Sequence, residues 1–309
     1  MNKLFLILLT SLVLMSCGNY DMNKEGISSG ELKIGVDYSY SMLTDAEIFV
    51  YQSLYQKAKI NPLYTNESDV IQALLDDSVQ AAIISRPLNQ EEMDFFKSKQ
   101  RFPESTKIAV DGVALVVNPA SKDTVLTMDQ LAAIFKGEID NWKSINPNSA
   151  NENLMVVFDN NKSCNGRYIK EKFIPNSNFP ATCFAVNNNE EVIEYVANNP
   201  GAIGVISVSW ISDRDEPKTL EFLKKVKPVG IVDPSNSVDP QLPRRPFQAY
   251  IFDQTYPLRR DVYVVRTGLR GTLGTGFASF VAGEKGQLII HKMGMVAATS
   301  PVRTIKITE

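Results

Sequence analysis

Short apolar runs along the chain alternate with stretches whose apolar residues recur every three or four positions. Glu31 to Asp37 (ELKIGVD) reads as a strand entering a polar loop, and Ile48, Tyr51, Leu54 and Tyr55 then lie at helical spacing. Thr44 to Glu47 (TDAE) has the form of a capping box for that helix. INPLYT predicts a second strand and SDVIQALLDD a second helix. Ala81 to Ile84 (AAII) reads as a strand buried on both faces, and Pro87 ends it. Asn89 to Glu92 then caps a third helix, EEMDFFKSK. This strand–helix rhythm predicts an α/β fold.

Lys107 to Pro119 (KIAVDGVALVVNP) is long for one strand, and Asp111-Gly112 interrupts it, as expected where a chain leaves one lobe for another. LTMDQLAAIFKGEIDNW predicts a helix with Thr127 and Gln130 at its start and Gly137 at its end. LMVVFDNNKSCNGRYIKEKFI reads as strand, polar loop and helix, and NNEEVIEYVANNPGAIGVISVSW as a helix, a stop at Pro200-Gly201, and a strand. Asp213 to Pro246 reads as loop-rich. LRRDVYVVRT is then a strand returning to the first lobe, followed by helices around Thr275 to Ala282 and Glu284 to Met293. There is no internal repeat.

Composition changes this picture mainly at the ends. Residues 1–17 (MNKLFLILLTSLVLMSC) join a positive start at Lys3 to an apolar run too short to span a bilayer comfortably. Leu14 to Cys17 (LMSC), followed by Gly18, resembles the lipobox of bacterial lipoprotein signals, which implies a lipid on Cys17 and anchorage to a membrane face. Residues 18–30 are polar and read as a tether. About 280 residues remain, enough for two lobes. A net charge of −3 argues against nucleic acid and polybasic membrane patches. Cys164 and Cys183 could be joined or free. No Cys/His cluster has metal-binding spacing, and the single histidine, His291, sits on a C-terminal helix. GLRGTLGTG lacks the lysine of a phosphate-cradling loop, and no GxSxG elbow is present. Catalysis has little support.

Three places share one design: a strand ends, a polar loop follows, and a helix begins. They are Asp37 to Ser41 (DYSYS), Ser85 to Pro87 (SRP) and Asn160 to Arg167 (NNKSCNGR). Open α/β sheets gather ligands at such strand ends, and helix starts favour anions. Ser39, Ser41, Ser85, Ser163 and Asn165 add donors, and Arg86 and Arg167 add forks that match a tetrahedral oxyanion.

AVDGVALVVNP, LTMDQLAAIFKGEIDNW, NNPGAIGVISV, YPLRRDVYVV and FVAGEKGQLIIHKMGMV occur in an order that resembles the phosphate-binding proteins of phosphate ABC transporters. These are members of the type II periplasmic binding protein superfamily. The resemblance implies an α/β, two-lobed fold with two crossing hinge strands, lobe 1 from 31–111 and 259–309 and lobe 2 from 112–258. It implies inorganic phosphate or a related oxyanion as ligand, no cofactor, an ABC permease as partner, and a monomer facing the periplasm or exterior. A sensor or interaction lipoprotein using the same cleft is the alternative. Carried over residue by residue, the resemblance assigns ligand contacts to Ser39, Tyr40 and Ser41, to Ser85, and to Ser163, Cys164, Asn165 and Arg167. Cys164 and Asn165 replace the family's Gly and Thr, and Arg86 or Pro87 stands where many members carry a proton-accepting aspartate. A site of donors alone is the resulting expectation, with phosphate bound more tightly as pH rises and sulfate tolerated. Asp37 and Asp159 are the carboxylates that could restore an acceptor.

Overall fold

The structure, a computed structural model, describes residues 25–299 apart from 152 and 237; Cys17 and the signal-like segment lie outside the described residues. Strands β1 (Ser29–Asp37), β2 (Lys57–Thr65) and β3 (Ala81–Ile84) pair in parallel, with β1 between the other two. Strand β3 is buried on both faces because its side chains alternate between two cores. Ala81 and Ile83 face the main cluster, whereas Ala82 and Ile84 pack under α2 (Glu67–Leu75) and α3 (Gln90–Ser98) with Val70, Leu74 and Phe96. The α3 start carries the expected capping box, Asn89 with Glu92.

Helix α1 (Ser41–Leu54) begins three residues before the predicted Thr44. A 3-10 turn over Tyr38–Tyr40 runs straight into it, and the Thr44 hydroxyl bonds back to the Tyr40 carbonyl instead of capping. Helix α4 (Met128–Lys136) has both halves of the Thr127/Gln130 capping box, and Gly137 ends it at φ 77°, a left-handed conformation that glycine adopts without Cβ strain.

Strand β4 (Glu104–Val117) runs unbroken through the expected interruption, but its partners change there. Glu104 to Gly112 pair with β11 (Arg259–Arg266), and Val113 to Val117 pair with β8 (Ala202–Ser207). The second half of the sheet continues through β6 (Met155–Phe158) to β7 (Cys183–Ala185), in the overall order β2-β1-β3-β11-β4-β8-β6-β7. The chain re-enters the first half where the Val113 N–H donates to the Leu258 carbonyl. The two halves thus share one strand and a strand entry. Helices α5 (Cys164–Phe173) and α6 (Asn189–Asn198) belong to the second half, and α6 packs Val192, Ile193 and Val196 against Ala114, Val116 and Ala202.

The stretch read as loop-rich contains α7 (Pro217–Lys225), β9 (Lys227–Pro228) and β10 (Gly230–Val232); α7 buries little beyond Thr219 and Phe222, too few positions to leave a periodic signal. Helices α8 (Gln248–Phe252), α9 (Leu273–Val281) and α10 (Glu284–Lys292) and strand β12 (Val296–Ala297) complete the described chain, with the short β5 (Val125–Thr127) paired to β10. Cys164 and Cys183 are free thiols, and His291 is exposed on α10.

GEIDNW and NPGAIG meet in space. Trp142 is wholly buried, and its indole N–H donates to the Gly201 carbonyl at 2.8 Å. A Cβ on residue 201 would stand 2.2 Å from the Asn153 carbonyl oxygen, so only glycine fits without moving backbone. Gly201→Ala is therefore expected to destabilise the fold by about 1–3 kcal/mol, read as a lower urea midpoint with unchanged m-value.

Candidate functional site

The carboxyl ends of β1, β3, β6 and β8 point to one place between the two halves. Each is followed by a 3-10 turn, a polar loop or a helix start, and each contributes a buried polar side chain: Asp37 and Ser39 at and after the end of β1, Ser85 after β3, Asp159 and Ser163 after β6, Ser207 and Ser209 at and after the end of β8.

Asp37 is central. Its Oδ1 accepts from the Ser39 backbone N–H at 2.9 Å, and its Oδ2 accepts from the Cys164 N–H at 3.0 Å, across the cleft. One carboxylate therefore occupies the first turn of two helical elements, one from each half, where an anion is favoured. The Cys164 thiol, kept protonated by burial, lies 3.1 Å from the same carboxylate. Asp159 accepts from Ser163 Oγ at 2.6 Å, from Ser39 Oγ at 3.3 Å and from Asn189 Nδ2 at 3.3 Å. Asn165 Nδ2 donates to Ser39 Oγ at 3.1 Å. Trp210 Nε1 donates to the Ser39 carbonyl at 3.0 Å, with Ser209 Oγ at 3.3 Å.

Both carboxyls are pushed up. Burial raises Asp37, with the Glu67 carboxylate adding to it, while burial and then the facing Asp37 push Asp159 to about 6. Two carboxyls in one dry site cannot both ionise cheaply.

A second knot lies beside the first. Glu67 Oε1 accepts from the Ser85 N–H at 2.7 Å and from Ser85 Oγ at 2.8 Å, and Glu67 Oε2 accepts from Arg167 Nε. Arg167 also donates to Ser85 Oγ at 2.6 Å and to Glu171 at 2.6 Å. Burial works against the Glu67 charge, but the Arg167 guanidinium holds its carboxyl below the usual range. Arg167 thus ties the second half to the first, and its three nitrogens are engaged by protein. Arg86 forms a fork with Glu92 at 2.7 and 2.8 Å and donates to the Pro87 carbonyl; its anion-matching face is spent on its own helix cap.

Ser39, Ser85, Ser163, Cys164, Asn165, Arg167, Asp37 and Asp159 are thus brought together, with Tyr40 buried beside Ser39 and its hydroxyl unpartnered among the described residues, and the cluster is not the site of donors alone that was expected. Ser41 is half-buried at the first position of α1, outside this hydrogen-bonded cluster. Sequence reading missed Glu67, which looked like an ordinary first-turn helix residue, and Asn189, which looked like part of a helix start. It also missed Arg260 with Asp111: Arg260 Nε and Nη2 both donate to Asp111 Oδ2, at 3.0 and 2.8 Å, buried between β11 and β4. Their pairing had one signal, the placement of both on the two strands proposed as connectors.

With fold and site described, the chain's kinship is plain. A family model described as PBP superfamily domain matches residues 23–285, and the chain belongs to this family. Among its relatives, the phosphate-binding protein PstS of Borreliella burgdorferi is 25% identical over 303 residues, covering 95% of this chain and 97% of that protein. PstS of Staphylococcus aureus is 26% identical over 258 residues, covering 82% and 73%. In shape the chain is similar to a putative phosphate ABC transporter substrate-binding protein with bound phosphate from Clostridium perfringens, at TM-score 0.71 and 20% identity over 87% of this chain and 100% of the other. It is also similar to an ABC-type phosphate transport receptor from Vibrio cholerae, at TM-score 0.61 and 23% identity over 86% and 99%.

The Asp159 geometry sets a pH dependence. A carboxyl raised to about 6 in the folded state contributes stability that is full below its unfolded value near 3.8 and lost as pH rises through about 6, in all about 3 kcal/mol. Asp159→Asn removes that loss. The variant is expected to gain about 1–3 kcal/mol over wild type at neutral pH without ligand, and to show a flatter stability profile between about pH 4 and 6. Urea unfolding across that range is the measurement, and an unchanged profile would show that the carboxyl is ordinary.

Proposed function

We propose that this chain is an oxyanion-binding component of an ABC import system, with inorganic phosphate as its ligand. The observation that carries the reading is the convergence of helix starts and hydroxyl donors with two carboxyls, Asp37 and Asp159, in one cleft. The resemblance of the chain to named phosphate-binding proteins supports it. Its lobes are 31–111 with 259–309, and 112–258, and they close about the β4 changeover at Gly112 and the entry to β11. The ligand contacts are Ser39, Tyr40, Ser85, Ser163, Cys164 and Asn165, with Asp37 and Asp159 as proton acceptors. Arg167 acts as a clasp between lobes through Glu67 and Ser85, rather than as the anion's own counter-ion.

Carboxyl acceptors change the selectivity expected of the site. A phosphate that carries a proton donates it to a carboxylate, whereas sulfate brings only lone pairs and meets repulsion. Sites built to bond a ligand's hydroxyl reject analogues that lack it by large factors. Phosphate is therefore expected to bind at least about 100-fold more tightly than sulfate. Its affinity is expected to fall as pH rises from 6 to 8, since the complex holds the more protonated phosphate, whose second proton free phosphate loses over this range. This reverses the trend expected of a donor-only site. Titration calorimetry with phosphate and sulfate at pH 6, 7 and 8 tests it; equal affinities, or phosphate binding that tightens with pH, would falsify the acceptor role.

The chain is further proposed to be exported by its first seventeen residues, lipidated at Cys17, and held as a monomer on the outer side of a membrane, where it meets its permease. Among the described residues no helix is long and apolar enough to cross a bilayer. Cys17→Ser is expected to abolish incorporation of an alkyne-labelled fatty acid and to shift the protein from the membrane to the soluble fraction. A variant that remains labelled would remove the anchor from the proposal.

A further inference from the structure

Arg260 Nη1, the Tyr40 hydroxyl and Asn165 Oδ1 are buried and have no hydrogen-bond partner among the described residues. Buried polar atoms are almost always partnered, and a guanidinium N–H left without an acceptor is costly. The three atoms belong to one neighbourhood. The Arg260 guanidinium carbon lies 5.4 Å from the centroid of the Tyr40 ring, and Asn165 holds Ser39, the residue next to Tyr40, at 3.1 Å. The charge of Arg260 is also felt at Cys164 and Asp159, on the other side of the cleft.

Arg260 cannot turn to relieve its vacant edge. Its Nε and Nη2 both spend themselves on Asp111 Oδ2, while Asp111 Oδ1 accepts from Ser207 Oγ at 3.0 Å. Both carboxylate oxygens are engaged, the fork is fixed, and Nη1 is left over. Arg167 differs, since all its nitrogens are taken by Glu67, Ser85 and Glu171. Burial keeps the Tyr40 phenol protonated, so its oxygen can donate.

We propose that Arg260 is the cationic ligand residue of this cleft: its Nη1 edge and the Tyr40 hydroxyl donate to oxygens of a bound tetrahedral oxyanion, and Asn165 Oδ1 accepts from an oxygen that carries a proton. The ligand class is a protonated tetrahedral oxyanion such as hydrogen phosphate, and the inference rests on the phosphate reading above. Arg260 stands opposite Asp111 in the β11–β4 pairing, on the two strands that join the lobes. The anion's charge is therefore met at the hinge itself, where filling the vacant edge favours the closed arrangement.

The test titrates inorganic phosphate into the full-length protein by calorimetry, comparing wild type with Tyr40→Phe and Arg260→Lys. Melting temperatures are recorded without phosphate. Tyr40→Phe is expected to weaken binding about 5- to 10-fold, and Arg260→Lys about 10- to 100-fold, because a lysine cannot hold Asp111 and reach the anion with one fork. A purely structural role would lower the melting temperature and leave the affinity of the folded protein unchanged. If wild type binds phosphate and both folded variants bind it within about twofold as well, the inference is overturned and the phosphate reading stands. If wild type binds no phosphate at millimolar concentration, both fall. Should Arg260→Lys fail to fold, Tyr40→Phe decides alone, and an unchanged affinity overturns the inference.

Discussion

The Asp37 carboxylate is the interaction on which the rest of this cleft depends. It closes the end of β1, satisfies the first turn after it, and crosses to the backbone N–H of Cys164 at the start of α5. Two helical elements from two halves of the molecule are thus joined by one buried negative charge. The neighbours answer that carboxylate: the Cys164 thiol donates to it, burial and then its charge push Asp159 towards the neutral form, and Ser39 and Asn189 hold Asp159 in turn. A cluster so arranged has little tolerance for a second full negative charge, and protons become part of its recognition chemistry.

The positive groups divide the remaining work by their degree of engagement. Arg86 belongs to the cap of α3, and Arg167 belongs to Glu67 and the contact between halves. Arg260 is a buried guanidinium with Nη1 left without a partner among the described residues, set on the strand that re-enters the first half. Breaking a buried pair of this kind is costly because it leaves a buried charge without its counter-charge, so Asp111 and Arg260 also hold the register of β4 against β11. The ligand contact proposed for Arg260 would therefore act on the residue that pairs β11 with β4, which is a physical reason for ligand and closure to be coupled.

Much of the fold is legible in the sequence. The capping boxes at Asn89/Glu92 and Thr127/Gln130, the left-handed stop at Gly137 and the doubly buried AAII strand are local signals: a few adjacent residues carry the whole energetic reason. The start of α1 was misplaced because Thr44 offered a plausible cap, while the real start is supported by Asp37 through the turn before it. Helix α7 was missed because it lies on the surface and buries only two side chains, so burial left little periodic imprint.

The sequence by itself determined the α/β class, the three loops at strand ends and the serine and asparagine donors within them. Those follow from periodicity, capping and turn chemistry, which act over a few residues. Only the tertiary structure decided which charges face one another. Asp37 and Cys164 are 127 positions apart, Glu67 and Arg167 are 100 apart, and Asp111 and Arg260 are 149 apart. No local preference encodes such pairings, because a carboxylate or guanidinium is equally at home in water until strand order brings its partner within reach and burial makes the partner obligatory.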